Sequence, residues 1–188
     1  MSALTPPAKG EVHSHATLTK GSFSLNLGIV KLGGDLTDDD RQCAWELYTE
    51  LSTRVAVTGK PGDPDCTNFD GELYVESLES LYTFFQEARR IMRRFPVGRL
   101  SVTQKNHLGI IISRSMEYVL RPFLEKWQVA YRHWWEYQSN PRPAPLERQT
   151  EYPRLKELLG DWTAVRWLMR ELQKELVRVY DLVDVSGR

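Results

Sequence analysis

The N-terminal part of the chain alternates apolar and polar residues with the period of a β-strand. Apolar side chains occupy every second position over 23–29, and the phase then shifts so that Val30 and Leu32 carry the apolar positions. A strand with one buried face has this period of two. A bulge near Gly28 explains the shift, because one extra residue reverses the side to which the later side chains point.

A weaker alternation over 12–18 predicts a second strand, and Lys20-Gly21 suits a turn between the two. We therefore expect a β element over 12–36, preceded by a disordered tail over 1–11. An isolated hairpin is only marginally stable in water. This one must lie on the helices or pair with the edge of another chain.

From residue 37 the apolar positions change to helical spacing. Thr37 is followed by three aspartates, and a hydroxyl cap followed by carboxylates stabilises the positive end of a helix dipole. This first predicted helix covers 38–57 and stops near Gly59. Its apolar face consists of Ala44, Leu47, Leu51 and Val55.

The second predicted helix has the most regular pattern in the chain. Its apolar residues recur in alternating steps of four and three, which places them along one face. Pro96 and Gly98 end the helix. The face consists of Tyr74, Leu78, Leu81, Phe85, Ala88, Met92 and Phe95.

A third helix is predicted from Thr103 to Tyr137, interrupted at Pro122 by a kink or by a break into two helices, of which the kink is favoured. Proline removes one backbone hydrogen bond and disfavours helical geometry at the preceding residue, Arg121. Beyond the kink, the expected core positions are Phe123, Trp127, Ala130 and Trp134.

A proline-rich connector over 139–150 leads to a fourth predicted helix, which starts near Pro153 and ends near Asp184. Four long helices joined by short links predict a mainly α fold, an up-down bundle of four long helices with a short N-terminal β-strand or hairpin. The bundle is expected to extend over 37–188.

Length and composition are those of a folded globular chain. The 188 residues suit one domain, with 41% hydrophobic and 27% charged residues. The 25 basic and 25 acidic residues cancel, so bulk charge attracts the chain neither to nucleic acid nor to anionic membranes. The N-terminal residues lack the apolar core of a signal peptide, and no run is long enough for a membrane span. We expect a cytoplasmic protein in which Cys43 and Cys66 are free thiols.

An arginine stripe at the end of the second helix is the strongest local charge feature. Arg90 and Arg94 point directly away from the apolar face, and Arg89 and Arg93 lie at the edge of that face. With Arg99 they form a candidate anion-binding site, because guanidinium groups suit carboxylate and phosphate. The ligand would be an acidic protein partner, a nucleotide or nucleic acid. The alternative is structural, since cations complement a helix C-terminus and nearby glutamates neutralise part of the charge.

The third helix concentrates aromatic side chains that cannot all share one face, because neighbouring residues point about 100° apart. Either the helix is buried on two sides or an apolar patch is exposed, and such a patch with an arginine has the composition of a protein interface. The candidate interface residues are Tyr131, Arg132 and Trp135 on this helix, and Phe23, Leu25 and Leu27 on the strand.

The remaining patterns indicate no catalytic, metal or cofactor site. A calcium loop counted from Asp63 needs Gly at its sixth place and Glu at its twelfth, and these are Asn68 and Tyr74. His13 and His15 share a strand face but provide too few ligands for a metal. Nucleophile elbows, phosphate loops and zinc spacings are absent from the sequence.

Two segments carry a resemblance to known proteins. A-W-E-L-Y-T-E-L-S-T-R-V at 44–55 and V-L-R-P-F-L-E-K-W at 119–127 resemble segments of small uncharacterised bacterial helical proteins. The resemblance covers 37–127 and implies a β-rich start followed by helices. Those proteins look like accessory or partner subunits, some from phage-defence neighbourhoods. The resemblance implies a bacterial source and a role in interaction, and it brings no catalytic residue.

These features together predict a non-enzymatic interaction or scaffold subunit that assembles with itself or with a partner protein, away from membranes. The alternative is a module that binds an anion or nucleic acid through the arginine stripe. An enzyme with an unrecognised site is a third interpretation.

Overall fold

The computed structural model describes residues 13–31, 38–95, 108–137 and 144–186. It confirms a mainly helical protein with a short N-terminal antiparallel hairpin. The strands are β1 (His13–Lys20) and β2 (Phe23–Lys31). The helices are α1 (Asp38–Thr53), α2 (Val55–Thr58), α3 (Tyr74–Arg94), α4 (Leu108–Ser115), α5 (Arg121–Tyr137), α6 (Pro145–Arg148) and α7 (Leu155–Tyr180). A π-helical turn, Met116–Leu120, joins α4 to α5, and a 3-10 turn, Gln149–Glu151, follows α6.

The hairpin contains the predicted bulge. Ala16 pairs with Gly28, but the next residue, Thr17, pairs with Asn26. Leu27 is therefore the extra residue on β2, directly beside the glycine at which the apolar pattern changes phase. One extra residue is what reverses the phase of an alternating pattern.

The hairpin packs on helices of its own chain. Both strands contact α7, and β2 also contacts α4 and the π turn. Phe23 is 6% exposed and Leu25 is fully buried, and the ring of Phe23 lies 6.5 Å from that of Phe123. Phe23 and Leu25, expected at an interface with another chain, are instead core residues of this one. The side chain of Leu27 lies outside the described residues.

The first helix is shorter than predicted. α1 ends at Thr53, and Arg54 has the extended angles φ −113° and ψ 97° before α2 begins. In an unbroken helix the carbonyl of Leu51 would accept a hydrogen bond from the amide of Val55. That carbonyl instead accepts one from the hydroxyl of Thr58, at 3.0 Å. A side chain thus takes the place of the backbone bond, and the predicted last turn becomes a separate helix.

The apolar face of α3 is rotated slightly from the predicted one. Phe84 and Ile91 are buried, whereas Phe85 and Met92 are partly buried at the edge of the core. The prediction assumed a strict repeat of 3.5 residues per turn, and a straight helix drifts about 20° from that repeat in every heptad. The positions predicted correctly as buried are Tyr74, Leu78, Leu81 and Ala88.

The third predicted helix passes through Pro122 without a break. In the π turn, the amide of Arg121 donates to the carbonyl of Met116, five residues earlier. Arg121 has the helical angles φ −60° and ψ −52°, so the expected loss of helical geometry there is wrong. A π turn is wider than an α turn, which gives room to the proline ring and removes the need for its missing amide.

The buried residues of this segment differ in part from the predicted ones. Positions 115, 119, 123, 127 and 131 are all buried, at a constant spacing of four. The step from 115 to 119 crosses the π turn, which is wider than an α turn, whereas 123, 127 and 131 lie in the regular helix α5. The prediction carried 3.6 residues per turn throughout and placed Ala130 in the core. Ala130 is exposed, and Tyr131 is buried in its place.

Helix α7 lies against most of the other elements. It contacts α1, α2, α5 and both strands. It ends at Tyr180, because Asp181 has the left-handed φ of 51°. The helix is thus shorter than the prediction, which ended near Asp184, and Val183 is 72% exposed.

A buried arginine of α7 holds the loop between α2 and α3. Arg170 is 4% exposed and donates to the carbonyls of Thr58 (2.8 Å), Lys60 (3.0 Å) and Asp63. Gly59 lies under this arginine with φ 73°, and a Cβ atom there would lie 2.8 Å from Nη2 of Arg170. Glycine is needed here for both the backbone angle and the close approach.

Within the described ranges, no helix is both long enough and apolar enough to cross a membrane.

Candidate functional site

A groove between α3 and the helical segment 108–121 contains part of the predicted arginine stripe. It encloses about 510 Å³ and is open to solvent. Its lining, called here the arginine groove, consists of Phe85, Arg89, Met92, Arg93, Ser113, Met116, Glu117 and Arg121.

Three guanidinium groups determine the charge of the arginine groove. Arg89 and Arg93 are exposed and lie one turn apart on α3, and Arg121 is exposed at the start of α5. Among the described residues, none of the three forms an ion pair within 4.0 Å. Glu117 is the carboxylate in the lining, so the groove keeps an excess of positive charge. An anion placed between the three arginines would meet planar donors from both helices.

The floor of the arginine groove is apolar. Phe85 and Met92 are partly buried, and Met116 is 7% exposed. The guanidinium carbon of Arg89 lies 5.8 Å from the centre of the Phe85 ring, within the range of a cation-π contact. Methionine side chains adapt to differently shaped partners because they are unbranched and flexible. The groove therefore suits a ligand that has both negative charge and apolar surface.

The π turn positions Arg121. The backbone amide of Arg121 donates a hydrogen bond to the carbonyl of Met116, so α5 starts directly after the widened turn, and both residues line the groove. Single π turns within α-helices occur frequently at functional sites, because they place side chains at angles that a regular helix does not reach.

The predicted arginine stripe divides into two groups. Arg90, with a side chain 62% exposed, pairs with Glu87 at 3.2 Å, and Arg94 pairs with Glu46 of α1. The two arginines that were expected to point farthest from the core are thus the ones with carboxylate partners. Arg89 and Arg93 line the groove, and Arg99 lies outside the described residues.

Sequence reasoning missed Arg121 as a site residue. It is 22 positions or more from the arginine stripe, and its place opposite Arg93 depends on how α3 packs against the helical segment 108–121. The one local signal is the proline that follows it. Pro122 predicts a kink, whereas the structure has a π turn immediately before Arg121.

The predicted interface residues on α5 have three different environments. Tyr131 is fully buried, and its hydroxyl has no hydrogen-bond partner among the described residues. Burial raises the pKa of Tyr131 above its ordinary value. Trp135 is partly buried under Arg148, whose guanidinium carbon lies 4.2 Å from the ring centre. Arg132 is exposed and pairs with Glu79 of α3. Tyr131 therefore belongs to the core, and Arg132 belongs to the surface.

A second groove lies between α3 and α5, toward the start of α3. It encloses about 480 Å³, and Glu79 and Arg132 lie across it from one another. Its most exposed apolar side chains are Val129 and Tyr137, at 74% and 73%. Its lining, called here the aromatic groove, consists of Glu79, Tyr82, Gln128, Val129, Arg132, His133, Glu136 and Tyr137.

The cysteines and acidic residues form no metal centre in the described part of the chain, where no three His, Cys, Asp or Glu side chains are grouped to hold an ion. Cys43 and Cys66 are buried free thiols. Desolvation, together with the charge of Glu46, raises the pKa of Cys43 from 9.0 to about 12, which makes it a poor nucleophile at neutral pH.

Compared with protein families, curated proteins and solved structures, the chain matches none of them.

Proposed function

We propose that the protein is a non-enzymatic interaction subunit that binds an acidic segment of a partner protein in the arginine groove. The observation that carries this proposal is the contrast within one arginine cluster. Arg90 and Arg94 have carboxylate partners in the chain, whereas Arg89, Arg93 and Arg121 have none among the described residues and face one groove. Three unpaired cations around a groove provide affinity for an anionic ligand.

The apolar floor favours a protein ligand over a simple anion. Phe85, Met92 and Met116 offer a surface that an aliphatic or aromatic side chain covers, and a phosphate group alone would leave it in water. Arginine, methionine and aromatic residues are the types enriched in protein interfaces. A partner segment with Asp or Glu beside an apolar residue satisfies both parts of the groove.

The scaffold that we propose for this role is the up-down bundle of four long helices. In support, α1 contacts both α3 and α7, and α5 contacts the same two helices, which is the neighbour pattern of a four-helix arrangement. The partner would be a different protein or a further copy of the chain in the bacterial cytoplasm. The two segments quoted above, which resemble those of possible defence-associated accessory proteins, support an assembly of that kind.

Nucleic acid is the second candidate ligand, because the same three guanidinium groups also suit phosphates. It differs in one measurable property. Binding to a phosphate polymer releases counterions and therefore falls steeply with salt, with a slope that reports the number of phosphates contacted.

The test compares two double variants that remove the same charge. The variant Arg89→Gln with Arg93→Gln removes two positive side chains from the arginine groove. The variant Arg90→Gln with Arg94→Gln removes two positive side chains outside it. The probes are a labelled Glu- and Leu-containing peptide and a labelled single-stranded DNA. We expect the first variant to weaken peptide binding by about tenfold or more, and the second to leave it nearly unchanged.

Equal losses in both variants would mean that bulk charge, and not the groove, attracts the peptide. Tighter binding of the DNA than of the peptide, with a steep salt dependence, would favour the nucleic-acid candidate. Absence of binding to either probe at low salt would exclude both.

A further inference from the structure

The arginine groove and the aromatic groove lie on one line along the protein surface. Glu79 near the start of α3 faces Arg132 near the end of α5, and Arg93 at the end of α3 shares a groove with Ser113 of α4. The two helical segments therefore run antiparallel, and the two grooves are successive parts of the cleft between them. From Glu79 to Arg93 the cleft extends for about 21 Å at 1.5 Å per residue.

The lining residues recur at helical spacing on both sides of this cleft. On the second side, positions 113, 117 and 121 line the arginine groove, and positions 128, 132 and 136 line the aromatic groove. On α3, positions 79 and 82 line the aromatic groove, and positions 89 and 93 line the arginine groove. Such rows of side chains along two neighbouring helices form the surface against which a third helix packs.

The two ends of the cleft differ in chemistry. The arginine groove has three guanidinium groups without ion pairs among the described residues. In the aromatic groove, Arg132 is neutralised by Glu79, and the exposed side chains of Val129 and Tyr137 present apolar surface. The arginine groove therefore attracts negative charge. Covering the aromatic groove with apolar surface lowers the free energy of the complex.

We propose that the occupant of this cleft is a helix of a partner protein, about four turns long, whose cleft-facing side has carboxylates at one end and apolar residues at the other. This inference rests on the proposed function and adds the form and the polarity of the partner segment. The cleft has no strand edge, so an extended segment would find no backbone partners there, whereas a helix satisfies its own backbone.

The experiment uses the full chain and two synthetic helical peptides of about 15 residues, or four turns, with identical composition. In the segregated peptide, the glutamates occupy the first two turns and the leucines and tyrosine occupy the last two. In the distributed peptide, both types are spread evenly over all turns. We expect the segregated peptide to bind about tenfold more tightly.

A pair of variants locates the apolar contact. Val129→Ser with Tyr137→Ser removes apolar surface from the aromatic groove, and Val183→Ser with Val185→Ser removes exposed apolar side chains elsewhere. We expect the first double variant to bind the segregated peptide about tenfold more weakly than the wild type, and the second to bind it with unchanged affinity. Both double variants should bind a short acidic peptide as the wild type does, because that peptide occupies the arginine groove alone.

The outcomes separate this inference from the proposed function. If the short acidic peptide binds through Arg89 and Arg93 but the two long peptides bind equally, the inference is overturned and the proposed function stands. The same holds if the serine variant of the aromatic groove binds the segregated peptide normally. If none of the peptides binds, both are overturned. Concentration-dependent self-association that the segregated peptide does not displace would identify a second copy as the occupant, against the inference.

Discussion

Arg166 of α7 donates a hydrogen bond to the carboxylate of Glu72 at a place where the arginine side chain has no exposed surface. The same guanidinium also donates to the carbonyls of Ala56 and Asn68, and it lies 3.9 Å from the ring centre of Phe69. Burial lowers the pKa of Arg166 from its ordinary value, and the nearby Glu72 opposes this shift. One side chain thus holds α2 and the following loop on α7.

Replacing Arg166 by Met should lower the free energy of unfolding by about 3 to 5 kcal/mol, because it leaves the largely buried carboxylate of Glu72, 11% exposed, without its cation. The measurement is urea denaturation followed by circular dichroism. Arg178→Met is the matched control on the same helix, since its pair with Glu175 is partly exposed and should contribute at most about 1 kcal/mol.

A double variant, Arg166→Met with Glu72→Leu, should be more stable than Arg166→Met alone, because no charge is then left unpaired inside the protein. If instead the losses of the single variants Arg166→Met and Glu72→Leu simply add in the double variant, the hydrogen bonds from Arg166 to the carbonyls, and not its ion pair, provide the stabilisation.

Replacing Tyr131 by Phe should leave the free energy of unfolding unchanged or raise it by about 1 kcal/mol. The buried hydroxyl has no hydrogen-bond partner among the described residues, so folding removes it from water without compensation. Tyr137→Phe, at a position 73% exposed, should have no effect. Destabilisation of the Tyr131 variant by more than about 1 kcal/mol would show that the hydroxyl is bonded in solution.

Deleting Tyr118 should be tolerated, although it lies within a helix. The π turn contains one residue more than an α turn needs, and removing one converts it to an α turn while the helix on either side keeps its buried face. We expect a loss of less than about 2 kcal/mol in thermal or urea denaturation.

Deleting Val129 is the control for that variant. It would rotate the rest of α5 by about 100° and turn Tyr131 away from the core, so it should prevent stable folding. If the two deletions are equally harmful, the π turn is not the place where the buried face changes phase.

Stability should fall at alkaline pH. Burial raises the pKa of Cys43 from 9.0 to about 12, and it also raises the pKa values of Tyr131 and Tyr180 above 10.0. The folded protein therefore keeps protons that the unfolded chain releases. The contribution of Cys43 is fully present below pH 9 and is lost as the pH rises from about 9 to 12, by up to about 1.4 kcal/mol per pH unit.

Urea denaturation at pH 7, 8.5 and 10 measures this dependence. The Cys43→Ala variant lacks the thiol and should show a shallower loss between pH 8.5 and 10, because the tyrosines contribute equally in both proteins. Parallel pH profiles for the two proteins would show that Cys43 titrates alike in the folded and unfolded states.

The elements with local signals could be predicted from the sequence. The hairpin and its bulge follow from a phase change within nine residues of β2, and the face of α3 follows from a repeat within one helix. The burial of Tyr131 in place of Ala130 could not be predicted, because the rings that cover it, Tyr74 and Tyr152, come from distant parts of the chain. The π turn could not be predicted either, because a constant helical period cannot represent it.

The candidate site was predicted in part for a related reason. Arg89 and Arg93 were found because they lie on one helix face beside a visible apolar pattern. The pairing of Arg94 with Glu46, and the approach of Arg121, join segments that are far apart in the chain. The buried arginines Arg166 and Arg170 were missed because their partners are mostly loop carbonyls, which no residue type reveals.

The position of α7 in the chain has a consequence for synthesis. α1, α2, α5 and both strands precede α7 in the sequence, and all of them contact it. While a ribosome is still making residues 155–180, those earlier elements can pack on one another, as α1 and α5 do on α3, but the faces that contact α7 stay uncovered. The core is therefore completed only when α7 has emerged from the ribosome, and until then the exposed apolar surface favours aggregation.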